Sequence, residues 1–406
     1  MALVVQKFGG SSVKDVERLQ NVARIVKGEY DKGNQVVVVV SAMGKTTDSL
    51  VALSKQITET PSEREMDMLM STGEQVSIAL LAMTLHSIGV DAVSFTGQQV
   101  GILTDESHTK ARIVKINCER LFKALKENKV VIVAGFQGID VNENITTLGR
   151  GGSDTTAVAI AAAAKADICD IYTDVDGVYT TDPRIVPEAK KLDVITYDEM
   201  LELASAGAKV MHSRSIEFAK KYGVIVQVRS SYEPSVIGTF IQEEGGNNME
   251  EPIIRGVTAY KNEAKVSVLG VPDSPGIAAK LFTALAEANI NVDMIIQNVS
   301  VHGSTDISFT VSKEDLKKSI KVSENILTPL GAKGLTYDEN VAKVSIVGVG
   351  MKSHSGVAAK MFGVLSEKLI NIQMISTSEI KISVVIDINK ADEAVKALHE
   401  KFGLGE

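Results

Sequence analysis

Apolar runs and helix-like segments alternate along roughly the first 240 residues of the chain. The apolar runs are rich in β-branched residues and nearly continuous, as in "QVVVVVSAM", which is typical of strands covered on both faces. Segments with apolar residues at helical spacing stand between them, such as "VERLQNVARIVKGEYDK". This alternation predicts an open, three-layer α/β domain with a largely parallel sheet. The predicted strands are residues 3–8, 35–43, 91–96, 129–138, 167–175 and 224–231.

Beyond this region a polar, glycine-bearing stretch precedes a sequence that repeats itself. Residues 276–296 and 356–376 are identical at 11 of 21 aligned positions, without a gap. Each copy reads strand, glycine-bearing turn, helix, strand, strand and helix, which indicates the βαββαβ order of a ferredoxin-like module. The predicted domains are an α/β domain over 1–242, a linker over 243–261, and two ferredoxin-like modules over 262–338 and 339–406.

Charge and composition narrow the class of function. The formal net charge is -8 over 406 residues without a long run of like charge, which argues against a nucleic-acid or anionic-membrane partner. The N-terminus does not read as a signal sequence and no apolar run approaches the ~18 residues of a membrane span, so we expect a cytoplasmic protein with small ligands. Cys118 and Cys169 lie far apart without metal-ligand spacing, and we expect buried thiols.

A glycine-rich loop, "GRGGSD" at 149–154, opens an alanine-rich helical segment. Its glycines allow close backbone approach, and the positive end of the helix dipole would face the loop. Arg150 suits a carboxylate or phosphate, whereas Asp154 would repel an anion and attract an ammonium group. Together they indicate an amino acid as ligand. The alternative is that Ser153 or Asp154 merely caps the helix.

Three further loops carry polar groups where predicted strands end. "KFGGSSV" at 7–13 places a lysine and free N–H groups where phosphate oxygens could bind, although the lysine precedes the glycines, unlike a Walker loop. The loop after the second strand supplies Ser41 and Thr47 at the carboxyl edge of the same sheet, where open α/β sheets bind ligands. "YTDVDGVYTTDPR" at 172–184 is dense in acceptors, and we predict a β-hairpin at its Asp-Gly pair.

These motifs, with "STGEQVS" at 71–77, resemble in order and spacing the aspartokinases of the amino-acid kinase superfamily. The duplicated C-terminal third resembles the paired regulatory ACT domains of that family. The resemblance implies transfer of the ATP γ-phosphoryl to the side-chain carboxylate of L-aspartate, the first step of lysine, threonine, methionine and diaminopimelate biosynthesis. It also implies Mg²⁺ held mainly by ATP and water, without a metal site made by the protein.

The resemblance assigns roles to individual residues of the first domain. The implied catalytic residues are Lys7, Arg150 and Asp154. The implied aspartate site adds to Arg150 and Asp154 the residues Ser41, Thr47, Glu74, Gly151, Gly152 and Ser153. The implied ATP site consists of Lys7, Phe8, Gly9, Gly10, Thr173, Asp174, Tyr179, Asp182, Arg184 and Lys209.

For the repeated third, the resemblance implies feedback inhibition by an amino acid. Lysine is the first candidate effector, and threonine is the second, as a co-effector. The turn "VPDSPGI" opens a helix whose N–H groups could hold an effector carboxylate. The implied effector residues are Asp273, Gly276, Ile277, Asp293, Gln297, Asn298, Ile375, Thr377 and Ser378.

The expected assembly is a homodimer or an α₂β₂ complex with a shorter regulatory chain starting at Met249. Two other functions stay open on sequence grounds. One is another kinase of the superfamily, and the other is an inactive amino-acid sensor, which would require the loss of Lys7, Arg150 or Asp154.

Overall fold

The structure is a computed structural model. It describes residues 1–208, 210–243, 253–298, 303–352 and 354–405. These residues form two compact units. The first unit consists of 1–178, 191–204 and the described part of 209–249, and the second of 179–190, 205–208 and the described part of 250–406.

The first unit contains most of the predicted strands and helices. Its strands are β1 (Leu3–Phe8), β2 (Gln35–Val40), β3 (Ala92–Phe95), β4 (Ile102–Thr104), β5 (Ile113–Ile116), β6 (Val130–Ala134), β7 (Gln137–Ile139), β8 (Ile145–Thr147), β9 (Ile168–Thr173), β10 (Val194–Thr196), β11 (Val226–Ser230) and β12 (Thr239–Gln242). Its helices are α1 (Val16–Asp31), α2 (Thr46–Ile57), α3 (Glu63–Met70), α4 (Thr72–Ser87), α5 (Gly97–Val100), α6 (Glu119–Lys126), α7 (Gly152–Ala164), α8 (Tyr197–Ser205) and α9 (Ser213–Tyr222).

The main sheet of the first unit confirms the predicted parallel α/β architecture. Among the described residues it has the order β10-β12-β11-β9-β1-β2-β6-β3, and the strands pair in parallel except β11 with β12. The valines of β2 are buried, because α1 and α4 cover one face of the sheet and α7 packs on the other. The carboxyl ends of β1, β2, β6 and β9 therefore lie side by side at one edge.

The sequence "REMDMLMSTGEQVSIALLAMTLHSIG" at 64–89 predicts one helical segment, and the structure divides residues 63–87 into α3 and α4 at Ser71. This stretch is long and apolar enough to cross a membrane by composition alone, but half of its most apolar window is buried inside the protein. α4 packs on β2, β3 and β6, as expected of a core helix. Both cysteines are buried and unpaired, as predicted.

The second unit contains the two repeats. Its strands are β13 (Gly256–Pro272), β14 (Ile295–Gln297), β15 (Ser304–Ser312), β16 (Gly334–Val347), β17 (Met374–Thr377) and β18 (Lys381–Asp387). Its helices are α10 (Ile277–Glu287), α11 (Leu316–Leu330), α12 (Val357–Glu367) and α13 (Ala391–Lys401).

The two repeats share one sheet through long strands that serve both copies. In the described residues its order is β14-β15-β13-β16-β18-β17. The first part of β16 completes the first copy, and residues 256–260 of β13 pair with the second part of β16 in the second copy. The second copy thus obtains its fourth strand from a segment that precedes the first copy. Each copy has its own apolar core against its own pair of helices.

Candidate active site

Lys7 lies at the end of β1, where the chain enters a tight glycine turn. The Ser12 N–H donates to the Gly9 carbonyl at 2.9 Å, and the Gly44 N–H donates to the Gly10 carbonyl at 3.0 Å. A Cβ on Gly10 would lie 2.9 Å from the Ala42 carbonyl oxygen, so a side chain there would force the two loops apart. The turn after β1 is therefore packed directly against the loop after β2.

The glycine-rich loop faces this turn through an ion pair. Lys7 Nζ lies 2.5 Å from Asp154 Oδ1, and the two side chains are only 11% and 13% exposed. Asp154 stands in the first turn of α7, where the helix dipole favours a negative charge. The structure thus brings together two of the three predicted catalytic residues, although they are 147 positions apart in sequence. Arg150, the third, is exposed on the same loop.

Close packing requires the glycines of this loop. Gly151 has a φ of +68°, and a Cβ there would lie 2.3 Å from the His212 side chain. Gly152 would meet the Phe136 ring at 2.8 Å. The glycines thus admit neighbouring protein groups, and their close approach to a ligand stays a prediction. Ser153 is largely buried, and no side-chain hydrogen bond caps α7.

Glu74 connects the loop after β2 to the site. Its Oε1 accepts a hydrogen bond from the Ala42 N–H at 3.0 Å, and the residue is 3% exposed. Burial raises the pKa of Glu74 to about 7, although the Ala42 N–H opposes that shift. Ser41 and Thr47 are partly exposed on the same loop and on the first turn of α2. Glu74 therefore positions the loop that carries the two predicted substrate hydroxyls.

The predicted nucleotide residues fall into two groups in the structure. Thr173 and Asp174 lie at the carboxyl end of β9, in the first unit, and Thr173 Oγ1 donates to Asp174 Oδ1 at 3.1 Å. The Phe8 side chain is fully buried and stacks on Tyr172 with ring centroids 4.6 Å apart. Only the backbone of Phe8 is therefore placed to act near a ligand. Lys209 lies outside the described residues.

The remaining predicted nucleotide residues belong to the second unit. Tyr179, Asp182 and Arg184 lie in segment 179–190, where Arg184 donates twice to the Asp182 carboxylate and lowers its pKa. The predicted β-hairpin is wrong, because residues 174–177 form bends after β9 and no strand follows before β10 in this fully described stretch. The segment is attached to the second copy, where Thr180 Oγ1 lies 2.9 Å from His399 Nε2.

The predicted effector residues other than Ile277 are exposed in the second unit. Asp273 is exposed just before α10, Gly276 precedes that helix with a φ of +92°, and Ile277 is buried in its first turn. The others lie on or beside the edge strands β14 and β17: Gln297, Asn298, Ile375, Thr377 and Ser378. Asp293 differs from all of these, because its carboxylate pairs with Lys343 of the second copy.

Three functional candidates escaped the sequence analysis. Phe136 has a φ of +70°, which is uncommon for a bulky residue, and it lies against the glycine-rich loop. Its only sequence signal was the pair of flanking glycines in "VAGFQG". Asp67 and Arg214 contact the residues just before the same loop, Thr147 and Leu148 respectively. Neither residue stands in a pattern that sequence alone could connect to residues 149–154.

Within the described ranges, no group of three or more His, Cys, Asp or Glu side chains is arranged to hold a metal ion. The arrangement at the carboxyl edge of the sheet is one lysine, one carboxylate, a partly buried glycine loop and an exposed arginine. Such a set can neutralise phosphate charge and bind a zwitterion in adjacent positions.

Comparison with known proteins agrees with this reading. Residues 2–230 match the amino acid kinase family, and residues 266–325 and 344–402 match the ACT domain. The aspartokinase of Pseudomonas aeruginosa strain PAO1 is 55% identical over 406 residues, which cover 100% of this chain and 98% of that protein. The aspartokinase of Bacillus sp. strain MGA3 is 54% identical over 405 residues, with 100% and 98% coverage.

A solved structure is similar along the whole chain. Aspartokinase III of E. coli, in complex with aspartate and ADP, has a TM-score of 0.82 and 28% identity, covering 98% of this chain and 99% of that one. The fold and the site thus define an ATP-dependent amino acid kinase with C-terminal ACT domains. Within that class, the chain belongs to the aspartokinase family.

Proposed function

We propose that the chain transfers the γ-phosphoryl group of ATP to the side-chain carboxylate of L-aspartate and releases 4-phospho-L-aspartate. This would be the first step of lysine, threonine, methionine and diaminopimelate biosynthesis in the cytoplasm. The observation that carries the proposal is the pairing of Lys7 with Asp154 at the edge of the parallel sheet. It puts a cation suited to phosphates next to an anion suited to an ammonium group.

The residues present suit a reaction that needs no general base. The acceptor carboxylate of aspartate has a reference pKa of about 3.9 and is already ionised near neutral pH. Positioning and charge neutralisation must therefore supply the catalysis. Lys7 would neutralise charge on the transferred group, Arg150 would bind the α-carboxylate, and Asp154 would bind the α-ammonium. Binding of both substrates would exchange the Lys7–Asp154 contact for two ligand contacts.

Mg²⁺ fits this site as a partner of the nucleotide. The described residues offer no cluster of three or more ligating side chains, and Mg²⁺ characteristically binds substrate phosphates while retaining several waters. When bound, the ion would neutralise phosphate charge. Asp174, an exposed carboxylate directly after β9, is the candidate side chain to contact the ion.

We also propose that lysine, threonine or both regulate the enzyme through the ACT domains. The exposed Asp273 beside the N-terminus of α10 supports an amino-acid site in the first copy, because a carboxylate and free helix N–H groups would serve the two charges of a zwitterion. E. coli aspartokinase III has been solved in complex with lysine and aspartate, with a TM-score of 0.76 and 28% identity to this chain.

The proposed assembly is a homodimer or an α₂β₂ complex. It is supported by two strands at the edges of the second unit, β14 and β17, which expose Ile295 and Ile375. An exposed strand edge with apolar side chains favours pairing with another chain. Met249, the candidate start of a shorter chain, lies outside the described residues, and an intact-mass spectrum of the expressed gene product would test it.

The decisive experiment measures aspartate-dependent ADP release by the purified chain, with hydroxylamine to trap the acyl phosphate. It is run with ATP and Mg²⁺, with and without lysine and threonine, and with the Asp273→Ala variant alongside. Hydroxamate formation that either amino acid suppresses, and that Asp273→Ala makes less sensitive, is the expected result. Release of ADP without hydroxamate would overturn the proposed product, and ATP binding without turnover would favour the inactive sensor.

A further inference from the structure

Arg214 connects the glycine-rich loop to a second loop of the first unit. It lies in the first turn of α9. Its Nη1 donates to the Leu148 carbonyl at 2.9 Å, and its Nη2 donates to the Ala111 carbonyl at 2.8 Å. One planar guanidinium thus fixes the distance between the residue before Gly149 and the end of the 105–112 loop.

Asp67 joins the same two segments through a second set of hydrogen bonds. It is fully buried on α3 and accepts hydrogen bonds from the Thr109 N–H at 3.0 Å and from Thr147 Oγ1, and it lies 2.8 Å from His108 Nδ1. Thr109 has a φ of +64°, an outlier for a β-branched residue that persists only where surrounding contacts hold it. Asp67 supplies those contacts.

The contacts of Arg214 and Asp67 both lie next to the start of the glycine-rich loop. A Cβ on Gly149 would lie 3.1 Å from the Thr109 carbonyl oxygen, so the 105–112 loop supports the start of the 149–154 segment directly. The Ala111 N–H also donates to the Thr147 carbonyl at 2.9 Å. Residues 147 and 148 are therefore held by Asp67, Ala111 and Arg214 immediately before the loop begins.

From this geometry we propose that Arg214 and Asp67 are positioning residues for the amino-acid substrate, which act by holding Arg150 and Asp154 at the spacing of an aspartate zwitterion. The inference rests on the proposed function of those two residues. No contact of Arg214 or Asp67 reaches the Lys7 turn among the hydrogen bonds of the described residues. Their loss should therefore weaken aspartate binding more than nucleotide binding.

The test compares KM for aspartate with KM for ATP in Arg214→Ala, Arg214→Lys and Thr147→Val, with the exposed Arg24→Ala as a matched surface control. Because a small displacement of binding groups is costly, we expect KM for aspartate to rise about 10- to 100-fold in Arg214→Ala, while KM for ATP changes less than about 3-fold. Arg214→Lys, which can reach only one carbonyl at a time, should lie between. Thr147→Val removes one donor to Asp67 without changing side-chain shape and should give a smaller rise.

Chemical rescue separates positioning from general loss of structure. In Arg214→Gly, millimolar guanidinium chloride should lower KM for aspartate toward the wild-type value, whereas sodium chloride at equal ionic strength should not. An unchanged KM for aspartate in Arg214→Ala, or equal rises for aspartate and ATP, would overturn the inference and leave the kinase assignment intact. A wild-type chain that forms no hydroxamate would instead overturn the proposed function, and the inference with it.

Discussion

Each unit contains a carboxylate that belongs to a predicted ligand site and that pairs with a lysine of its own chain in this structure. In the first unit Asp154 pairs with Lys7, and both side chains retain some exposure, 13% and 11%. In the second unit Asp293 pairs with Lys343, but Lys343 is 4% exposed while Asp293 is 46% exposed. The two pairs have the same chemistry in different surroundings.

The two pairs differ in what each lysine would contact once its carboxylate partner binds a ligand. Lys7 stands near the carboxyl end of a central strand, beside the turn at Gly9 and Gly10, so an incoming phosphate could replace Asp154 as its partner. Lys343 is enclosed with a second carboxylate, Glu263, at 3.8 Å, and burial raises the pKa of Glu263 while Lys343 lowers it. The first pair is therefore suited to ligand exchange and the second to holding the two repeats together.

Replacement of Lys7 should have the largest effect. If Lys7 acts on the transferred group as proposed, Lys7→Ala should lower kcat about 10²- to 10³-fold, as for loss of one transition-state contact. ADP release at saturating aspartate and ATP is the measurement. Lys343→Ala is the matched control in the other pair, and its kcat without effector should stay within about 3-fold of wild type. Near-normal turnover in Lys7→Ala would make both pairs structural.

Glu74 sharpens the comparison because it is a buried carboxylate of the first unit whose Oε2 has no hydrogen-bond partner. Its pKa is raised from 4.5 to about 7 by burial, so the folded state binds the proton more tightly than the unfolded chain. The stability this contributes is present below about pH 4.5 and is lost as pH rises through about 7. The loss is at most about 3.5 kcal/mol, at 1.4 kcal/mol per pKa unit.

Calorimetry of Glu74→Gln tests this pH dependence. The amide keeps an acceptor for the Ala42 N–H but does not ionise, so the variant should melt closer to wild type at pH 5 and higher than wild type at pH 8. The exposed Glu65→Gln on α3 is the control and should follow the wild-type curve. A wild-type and Glu74→Gln difference that is constant with pH would contradict the prediction.

Asp154→Asn tests ligand exchange in the first pair. The variant keeps the shape of the side chain but loses the charge that would attract the substrate ammonium, so KM for aspartate should rise about 10- to 100-fold, the equivalent of about 1.5–3 kcal/mol for a charged hydrogen bond. Nucleotide affinity, measured by titration calorimetry with ADP, should hold or increase because Lys7 is released. Weaker ADP binding with unchanged KM for aspartate would assign Asp154 to the nucleotide instead.

The smallest effect is expected for the coupling between Lys343 and Asp293. A double-mutant cycle of Lys343→Met and Asp293→Asn, followed by thermal unfolding, should give a coupling energy of about 1 kcal/mol, because one partner is half exposed to solvent. Raised salt should reduce this coupling. A coupling near zero would leave Asp293 available to an effector at no cost and would make the two pairs alike.

Much of the fold followed from local patterns. The six predicted strands of the first domain are all present in the main sheet. The repeated third forms two units with the predicted order strand, helix, strand, strand, helix. The chemical nature of the site was also readable, because the lysine, glycine, arginine and aspartate motifs stand where strands end. Hydrophobic periodicity and turn chemistry act over a few residues, and neighbouring residues are what a sequence displays directly.

The tertiary structure alone decided which distant groups meet. It paired Lys7 with Asp154, brought Arg214 and Asp67 to the residues just before the glycine-rich loop, and assigned segment 179–190 to the second unit. It also gave the second repeat a strand from residues 256–260 instead of from its own end. By itself, the sequence determined the elements and the chemistry at their ends. The partners depended on packing and strand register across a hundred residues or more, where many pairings satisfy the same local pattern and only burial of the whole core selects one.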